Sequence, residues 1–327
     1  MTSKIAIVTT ANPKVGFGHL NRCLVLADAF NISGVSTEVY LLPTYEGVDK
    51  FLESRDRCSS IRRADRIPNP LMADTCIIDL YCIEQDIIRA ASEQCSTVII
   101  FDDSKGNEIP DGVDAVINTN EIQSEEYKDV YKVFGGAKYC LLRPEFSRTK
   151  WKNSGNRVII CMGGSDPEGQ TYRLVRISQR WLAHRDVVVI QGPGFEADHR
   201  EVQQVFENIT VMQQPKELAS VMASAKLAVS ASGTMLYEFI ALGVPVACLS
   251  LDDSQRKIAL SCAKINGVQI LGEFDIVKDE EIGRSLREFD KTVSEQKIKI
   301  GSKARFVDGQ GDRRLARDLI TWLDSKQ

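Results

Sequence analysis

Short runs of apolar residues alternate with amphipathic stretches along the whole chain. In the first half these runs have the length of buried strands: KIAIVTT, TEVYLL, TCIIDL, TVIIFDD and DAVINT. They are separated by stretches with helical spacing, of which EQDIIRAASEQC is an example. Continuous apolar strands between amphipathic helices are typical of a parallel sheet that is covered on both faces. The pattern therefore predicts an α/β fold.

The same pattern starts again after about residue 150, with RVIICMGGSDPEG, DVVVIQG, ITVMQ, LAVSAS and VPVACLSL. The polar stretch SRTKWKNSGN (147–156) is the predicted linker. We expect an N-terminal domain over 1–150, a second domain over 151–310, and a last helix over 311–327 that packs back toward the first domain. Each half opens with a strand, a glycine loop and a helix. This predicts two Rossmann-like, doubly wound domains that face an interdomain cleft, with a ligand site where strand ends meet helix starts.

Composition and charge argue against several classes of partner. The chain has 327 residues, of which 43% are hydrophobic and 26% charged, and a formal net charge of -4. Because there is no basic excess, nucleic acid is not expected to bind. There is no signal-peptide pattern and no run of roughly 18 apolar residues, so we expect a cytoplasmic protein. The nine cysteines are scattered without a CxxC pair, which predicts reduced, buried thiols and neither disulfides nor a zinc site.

The stretch KVGFGHLNRC (14–23), before and into the first long helix, carries the first candidate chemistry. Gly16 and Gly18 suggest a substrate-binding loop, but the third glycine of a dinucleotide fingerprint is missing, and no P-loop motif occurs elsewhere. His19 and Arg22 are three residues apart, in the first turn, and lie off the apolar stripe of this helix, which makes Arg22 a candidate substrate-binding residue. A histidine there can take a proton from water or a hydroxyl near neutral pH. The alternative is that His19 only caps the helix or packs against the loop.

A second constellation lies in KLAVSASGTMLYEFIALGVPVACLSL (226–251), which predicts strand, tight turn, helix, turn and strand. Ser232, Gly233 and Thr234 stand at the helix start, where backbone N–H groups and the helix dipole can hold a diphosphate. Glu238 follows one turn later on the same face, where a carboxylate can accept hydrogen bonds from both hydroxyls of a ribose. The alternative is a capped helix with a surface glutamate.

The loop GGSDP (163–167) offers another group of backbone donors at a helix start. Gly163, Gly164 and Ser165 are its candidate binding residues. Two anion sites in one half of the chain favour nucleotide binding. No metal and no cofactor are predicted, because backbone N–H dipoles can stabilise a departing diphosphate without a metal.

Several segments, taken in their order and spacing, resemble a known family. Besides the two anion loops they are GFGHLNRCLVLA (16–27), DLYCIE (79–84), FDD (101–103), CLLRPEF (140–146), DDSQRKIA (252–259) and FVDGQGDRRLARDLI (306–320). They resemble the GT-B-fold nucleotide-sugar proteins related to MurG-type transferases, and within these the UDP-2,4-diacetamido-2,4,6-trideoxy-β-L-altropyranose hydrolases of pseudaminic acid biosynthesis. The resemblance implies GT-B architecture. It also implies hydrolysis of a UDP-linked diacetamido-trideoxy sugar to free sugar and UDP, with water attacking the anomeric carbon.

The resemblance further implies roles for particular residues. His19 is the general base and Tyr81 stands near the sugar. Gln255, with its neighbour Ser254, approaches the sugar or the phosphates. The second constellation, including Glu238, holds the phosphates and the ribose. A few departures from the family pattern near the expected sugar pocket leave the identity of the sugar open.

Two other functions stay open. One is a glycosyltransferase that moves a sugar from a UDP donor to an acceptor on the same fold. The basic and apolar stretch SRDRCSSIRRADRIPNPLM (54–72) would then contact an anionic membrane, and the alternative for this stretch is a solvated loop with acidic neighbours. The other is a non-catalytic subunit that binds a sugar nucleotide. The expected partner is a UDP-sugar, and the oligomeric state is not predicted.

Overall fold

The computed structural model describes residues 4–11, 16–43, 48–53, 59–103, 109–119, 132–152, 155–164, 166, 168–192, 194–195, 208–296, 298, 300 and 307–326. The chain divides into two compact units: residues 1–143 together with 310–327, and residues 144–309. In the described part of each unit the strands form one sheet in which every pairing is parallel. The predicted α/β fold with two Rossmann-like domains is confirmed.

The sheet of the first unit has the strand order β3-β2-β1-β4-β5-β6-β7. Its strands are β1 (Ile5–Thr9), β2 (Thr37–Leu41), β3 (Ser60–Arg63), β4 (Thr75–Asp79), β5 (Thr97–Phe101), β6 (Ala115–Asn118) and β7 (Lys132–Gly135). Its helices are α1 (Gly18–Ile32), α2 (Val48–Glu53), α3 (Gln85–Ser92), a 3-10 helix (Ala137–Tyr139) and the last helix, α11 (Gly311–Lys326).

Strand order in this sheet reverses between β1 and β4. From β1 the chain adds β2 and β3 on one side, and from β4 it adds β5, β6 and β7 on the other. Open parallel sheets bind their ligands at the carboxyl ends of the strands that flank such a reversal. Thr9 ends β1, Asp79 ends β4, and the two residues are direct partners in the register. The sheet therefore has its expected site beside Thr9 and Asp79.

Apolar side chains cover both faces of the first sheet. On one face, α1 buries Leu20, Leu24 and Phe30, and α11 adds Leu315 and Leu319 to the same core. The last helix thus packs inside the first unit, on α1, although it follows the second unit in the chain. Burying these large side chains removes them from water, which stabilises the fold by roughly 1.5–3 kcal/mol for each one.

The sheet of the second unit has the order β10-β9-β8-β11-β12-β13. Its strands are β8 (Arg157–Cys161), β9 (Asp186–Gln191), β10 (Ile209–Gln213), β11 (Leu227–Ala231), β12 (Val246–Ser250) and β13 (Val268–Glu273). Its described helices are α4 (Glu145–Arg148), α5 (Gln170–Ile177), α6 (Gln179–Leu182), α7 (Leu218–Ala223), α8 (Thr234–Leu242), α9 (Asp253–Cys262) and α10 (Asp279–Gln296). Here the order reverses between β8 and β11.

The predicted linker 147–156 does not connect the two units. The chain passes from one unit to the other between Arg143 and Pro144, ahead of that stretch. Within it, Trp151 Nε1 donates to the carbonyl of Ala225 at 2.6 Å, and the N–H of Lys152 donates to the carbonyl of Ala223 at 2.9 Å. These hydrogen bonds hold the described part of the stretch on the second unit. The polar composition of this stretch predicts a linker, but its hydrogen bonds to residues 223 and 225 make it part of the second unit.

The described cysteines are free thiols, and all of them except Cys82 are buried. In the part of the chain that the structure covers, no helix combines the length and the apolar composition needed to cross a bilayer.

Candidate active site

The first candidate site lies at the start of α1, directly after β1. Gly16 has a φ of 78°, a backbone conformation that glycine adopts without strain. Phe17 follows and is buried against the ring of Phe51, with ring centroids 5.1 Å apart. Gly18 is the first residue of α1, so that His19 falls in the first turn of the helix. His19 thus lies at the strand reversal, beside the end of β4.

His19 is paired with a buried carboxylate. Its Nδ1 lies 2.7 Å from Oδ1 of Asp79, and the Asp79 side chain is almost completely buried. A carboxylate only accepts hydrogen bonds, so this contact places the proton of a neutral ring on Nδ1. The other nitrogen, Nε2, then carries the lone pair and can act as a base. The contact with Asp79 favours a base over the alternative, a histidine that only caps the helix or packs against the loop.

Arg22 is held by two carboxylates instead of being free for a ligand. Its Nε and Nη2 donate to Asp79 at 2.6 and 2.5 Å. Its Nη1 and Nη2 donate to Asp103 at 3.0 and 2.8 Å. Four of the five guanidinium N–H groups are therefore used inside the protein. These contacts give Arg22 an internal role, whereas the sequence pattern had indicated substrate binding.

Burial and charge oppose each other in this cluster. Burial alone raises the pKa of the Asp79 carboxyl, but Arg22 and His19 outweigh it and hold that pKa well below its usual range. Burial likewise works against the charge of Arg22, yet Asp103 and Asp79 keep the pKa of its guanidinium well above the usual value. Burial, together with the charge of Asp79, raises the pKa of the Cys23 thiol well above its usual range. Asp79 is thus an anion at neutral pH, and Cys23 is a protonated donor to it at 3.3 Å.

Tyr81 is not part of this cluster. It lies in the loop after β4, and its side chain is 78% exposed. The structure places it two residues beyond Asp79 with its ring in solvent. A role near a sugar stays a prediction for Tyr81.

The second unit brings its two predicted anion loops to one place. Gly163 and Gly164 follow β8, whereas Ser232 and Gly233 follow β11. These two strands are hydrogen-bonded neighbours in the sheet. Both loops therefore leave the carboxyl ends of the strands at which the order reverses. Ser165 lies outside the described residues.

The loop at Gly163 and Gly164 is packed against backbone. A Cβ on Gly192, directly after β9, would lie 2.5 Å from both the Cα and the carbonyl oxygen of Gly164. The N–H of Gly194 also donates to the carbonyl of Gly164 at 2.8 Å. Gly163 has a φ of 127°, which glycine tolerates and other residues rarely adopt. The close approach of the two loops, together with the φ of Gly163, explains why glycine stands at these positions.

The start of α5, behind this loop, already holds an anion of its own. Asp166 accepts hydrogen bonds from the N–H groups of Gln170 and Thr171, at 2.7 and 2.8 Å. The aspartate of the GGSDP motif thus caps the helix, a frequent role for this residue type. The N–H groups of Gln170 and Thr171 are therefore occupied, and a ligand here would depend on the N–H groups of the glycine loop itself.

The start of α8 is different, because Gly233 at its N-cap position has no side chain and its first turn contains no acidic residue. Gly233 precedes the helix, and Thr234 is its exposed first residue. Ser232 is buried, and its N–H donates to the carbonyl of Leu249 at 2.9 Å, so its backbone belongs to the sheet. Gly233 and Thr234 stand at the open end of a helix, where N–H groups and the dipole attract an anion.

Gln255 lies next to this helix start. Its Oε1 accepts from the N–H of Leu251 at 3.2 Å, which turns the side-chain amide nitrogen toward Gly233. A Cβ on Gly233 would be 4.0 Å from Gln255 Nε2. Ser254, its neighbour in the first turn of α9, is exposed. Two segments that are separate in the sequence thus meet at one helix end.

Glu238 is buried, with 3% of its surface exposed, one turn into α8. The alternative of a surface glutamate is therefore wrong. A carboxylate is almost never buried without polar partners. Its position behind the open helix start suits recognition of polar hydroxyl groups.

Asp79 and Asp103 were not predicted as site residues. Asp79 is the last residue of β4, and Asp103 follows the end of β5 by two positions. Both belong to segments that end a buried strand with an aspartate, TCIID and TVIIFDD. A carboxylate at the carboxyl end of a central parallel strand is the signal that could have pointed to them.

The basic stretch 54–72 is partly neutralised within the first unit. Arg62 donates to Glu38 of β2, and Arg63 donates to Asp49 of α2. Residues 54–58, with two further arginines, lie outside the described residues. The ion pairs agree with the interpretation of the described part as a solvated segment with acidic neighbours.

No family model matches the chain. Among curated proteins it is similar to the uncharacterized protein MJ1062 of Methanocaldococcus jannaschii, with 27% identity over 277 residues. That alignment covers 78% of this chain and 57% of the archaeal protein. The chain is also similar to the spore coat polysaccharide biosynthesis protein SpsG of Bacillus subtilis, with 23% identity over 262 residues, which are 75% of this chain and 76% of SpsG.

Solved structures of glycosyltransferases superpose on almost the whole chain. Acinetobacter baumannii MurG matches with a TM-score of 0.64 and 15% identity over 97% of this chain and 99% of MurG. The spinosyn rhamnosyltransferase SpnG, complexed with thymidine diphosphate, matches with a TM-score of 0.63, 14% identity and the same coverage of 97% and 99%. At such identities the similarity establishes the fold alone. The chain has the GT-B fold, as predicted.

Proposed function

We propose that this protein is a nucleotide-sugar hydrolase that splits a UDP-linked sugar into free sugar and UDP. The observation that carries the proposal is the contact of His19 Nδ1 with Asp79 at 2.7 Å, which leaves Nε2 as the basic nitrogen. A histidine held this way by a buried carboxylate is suited to general-base catalysis.

In the proposed reaction, Nε2 of His19 takes a proton from a water molecule as the water oxygen bonds to the anomeric carbon. The bond from that carbon to the diphosphate oxygen breaks, and its electron pair leaves with UDP. Asp79 stabilises the imidazolium that forms, because it is an anion in contact with the other ring nitrogen. A positioned base of this kind contributes about 10²–10⁴-fold in rate.

The second unit supplies the proposed nucleotide site. Diphosphate oxygens would accept hydrogen bonds from the N–H groups at the open start of α8 and from Gln255 Nε2. Glu238 would accept hydrogen bonds from the ribose hydroxyls. The thymidine diphosphate named in the structure of the SpnG neighbour is consistent with a nucleoside diphosphate as ligand on this fold. A leaving diphosphate held by N–H dipoles needs no further acid.

The proposed sugar is a 2,4-diacetamido-2,4,6-trideoxyhexose, on its way to a pseudaminic-type nonulosonic acid. This assignment depends on the resemblance of the ordered segments to the hydrolase family. The similarity to SpsG, a spore coat polysaccharide biosynthesis protein, supports a place in sugar biosynthesis. Tyr81, exposed two residues beyond Asp79, is the proposed contact to the sugar.

A glycosyltransferase is the second candidate, and the similarity to MurG and to a rhamnosyltransferase favours it. The same base would then deprotonate an acceptor hydroxyl instead of water. Fold does not decide between these reactions, because both use the same parts of the site.

Incubation of the protein with a panel of UDP-linked diacetamido sugars, without any acceptor, tests the proposal. NMR spectra should show free sugar and UDP appearing in equal amounts, and they also report inversion or retention at the anomeric carbon. Turnover that needs an added acceptor would establish the transferase instead. Tight UDP binding without turnover of any sugar in the panel, either alone or with added acceptors, would contradict both and leave a binding subunit.

A further inference from the structure

The guanidinium of Arg22 joins two carboxylates that come from neighbouring strands. Nε and Nη2 contact Asp79 at the end of β4, while Nη1 and Nη2 contact Asp103, just after β5. The ring of Phe101 lies under the guanidinium, with Cζ 4.6 Å from the ring centroid. Two edges and one face of the planar group are thus fixed. Such bidentate contacts hold an arginine in one orientation.

This arrangement sets the net charge beside His19. In the described part of the chain, the charged groups in contact with the ring or with its partners are Asp79, Arg22 and Asp103. Asp79 and Arg22 cancel, so Asp103 leaves one net negative charge. Cys23 adds a hydrogen bond but no charge.

Burial does not require Asp103 in this place. Asp79 is buried and already has Arg22 as its counter-ion, whereas the Asp103 side chain is 34% exposed. A structural ion pair would be complete with Asp79 and Arg22 alone. The additional carboxylate is therefore best explained by its effect on the group at the other end of the chain of contacts, His19.

We propose that Arg22 and Asp103 are a positioning pair for the His19–Asp79 dyad: the pair fixes the orientation of Asp79 and balances the charge that decides when the ring accepts a proton. The inference rests on the proposed function for its catalytic meaning. Its charge effect on His19 exists whether or not the sugar has been identified correctly. Neither residue needs to touch the substrate.

Titration of the His19 ring by NMR tests the pair without substrate. The chain has only three histidines, so the His19 signal is assigned by its loss in His19→Gln. Asp103→Asn removes a negative charge, and the midpoint of the ring titration should fall by about one pH unit. Arg22→Gln removes a positive charge, and the midpoint should rise by a similar amount. Asp86→Asn, an 84% exposed aspartate on α3, is the control and should leave the midpoint in place.

Shifts of opposite sign support the pair, and a midpoint that does not move in Asp103→Asn overturns it. If Arg22→Gln fails to fold, the midpoint of the ring titration in Asp103→Asn tests the proposal by itself. Kinetics give a second measurement: Asp103→Asn should lower kcat about tenfold with an unchanged KM, because it alters the base and not binding. Absence of turnover in the wild type would reject the proposed function, but the titration would still test the charge effect of the pair on His19. A wild type that hydrolyses the sugar nucleotide with no shift in Asp103→Asn would reject the pair alone.

Discussion

Replacing Asp79 by asparagine keeps the shape of the side chain and removes its charge. The carboxylate accepts hydrogen bonds from His19 Nδ1 and Arg22 Nη2 at one oxygen, and from Arg22 Nε and Cys23 Sγ at the other. Whichever way the amide is turned, its NH2 group faces two donors. Two of the four hydrogen bonds are lost, and Arg22 keeps only Asp103 as counter-ion.

The expected loss of stability follows from these contacts. Removing one partner of a buried, hydrogen-bonded charge pair costs about 3–5 kcal/mol. The free energy of unfolding typically falls by about 2 kcal/mol for each molar of urea, so the midpoint of urea unfolding should fall by roughly 2 M. The rate of sugar release should also fall by about 10²–10⁴-fold, because the imidazolium that forms on His19 loses the anion that stabilises it.

The pH dependence has a definite sign. The pKa of Asp79 in the folded protein lies below the usual value of about 3.9 of an unfolded chain. Its contribution to stability is therefore present above about pH 4 and is lost as the pH falls toward the folded-state pKa. The difference in stability between the wild type and Asp79→Asn should shrink below about pH 4.

Urea unfolding at pH 7 and at pH 3, followed by circular dichroism, measures both effects. Hydrogen exchange of the amides in α1 and β4 assigns the loss to the first unit. The control is Asp86→Asn, an exposed aspartate of the same unit, for which a change within about 0.5 kcal/mol is expected. A loss below about 1 kcal/mol in Asp79→Asn, with an unchanged rate of sugar release, would refute the interpretation of this cluster.

Three further predictions concern the second unit. Thr234→Glu places a negative charge at the open start of α8, so it should stabilise the helix by about 0.3–1 kcal/mol and yet abolish UDP binding in calorimetry; retained affinity would exclude this helix end as the diphosphate site. Glu238→Gln, which keeps the volume of a buried side chain, should weaken UDP binding while the circular dichroism spectrum stays the same, and equal affinity would remove the ribose role. Gly192→Ala should lower the thermal midpoint, since its Cβ would lie 2.5 Å from Gly164 backbone atoms and such overpacking costs typically about 1–3 kcal/mol. Gly18→Ala meets no atom within 4 Å and should leave the midpoint unchanged, so equal effects would contradict the packing argument.

Every strand in the interior of a sheet could be predicted from the sequence, whereas three of the four edge strands could not. All ten predicted strands are present: nine are central parallel strands, which are covered on both faces and form continuous apolar runs, and the tenth, β10, is an edge strand. The missed strands are β3, β7 and β13, and each lies at the edge of its sheet. Most of their residues are partly or fully exposed, as in SIRR of β3, so no continuous buried run marks them.

The residues of the candidate site could likewise be predicted only where the signal is local in the sequence. Helical spacing identified His19, because its place off the apolar stripe is a local property of α1. Asp79 and Asp103 were missed because they lie 60 and 81 positions from their partners in the sequence, and only the parallel sheet brings them together. Likewise, the pairing of Asp166 in the GGSDP motif with the N–H groups of Gln170 and Thr171 was not predicted, although it occupies the first donors of α5.

The most direct test of the central claim compares two properties of His19→Gln: the rate of UDP release from the sugar nucleotide without acceptor, and the affinity for UDP. Because His19 lies in the first unit and the proposed UDP site in the second, the rate should fall by at least about 10²-fold while UDP affinity stays that of the wild type. Release of UDP at the wild-type rate by this variant would contradict the account.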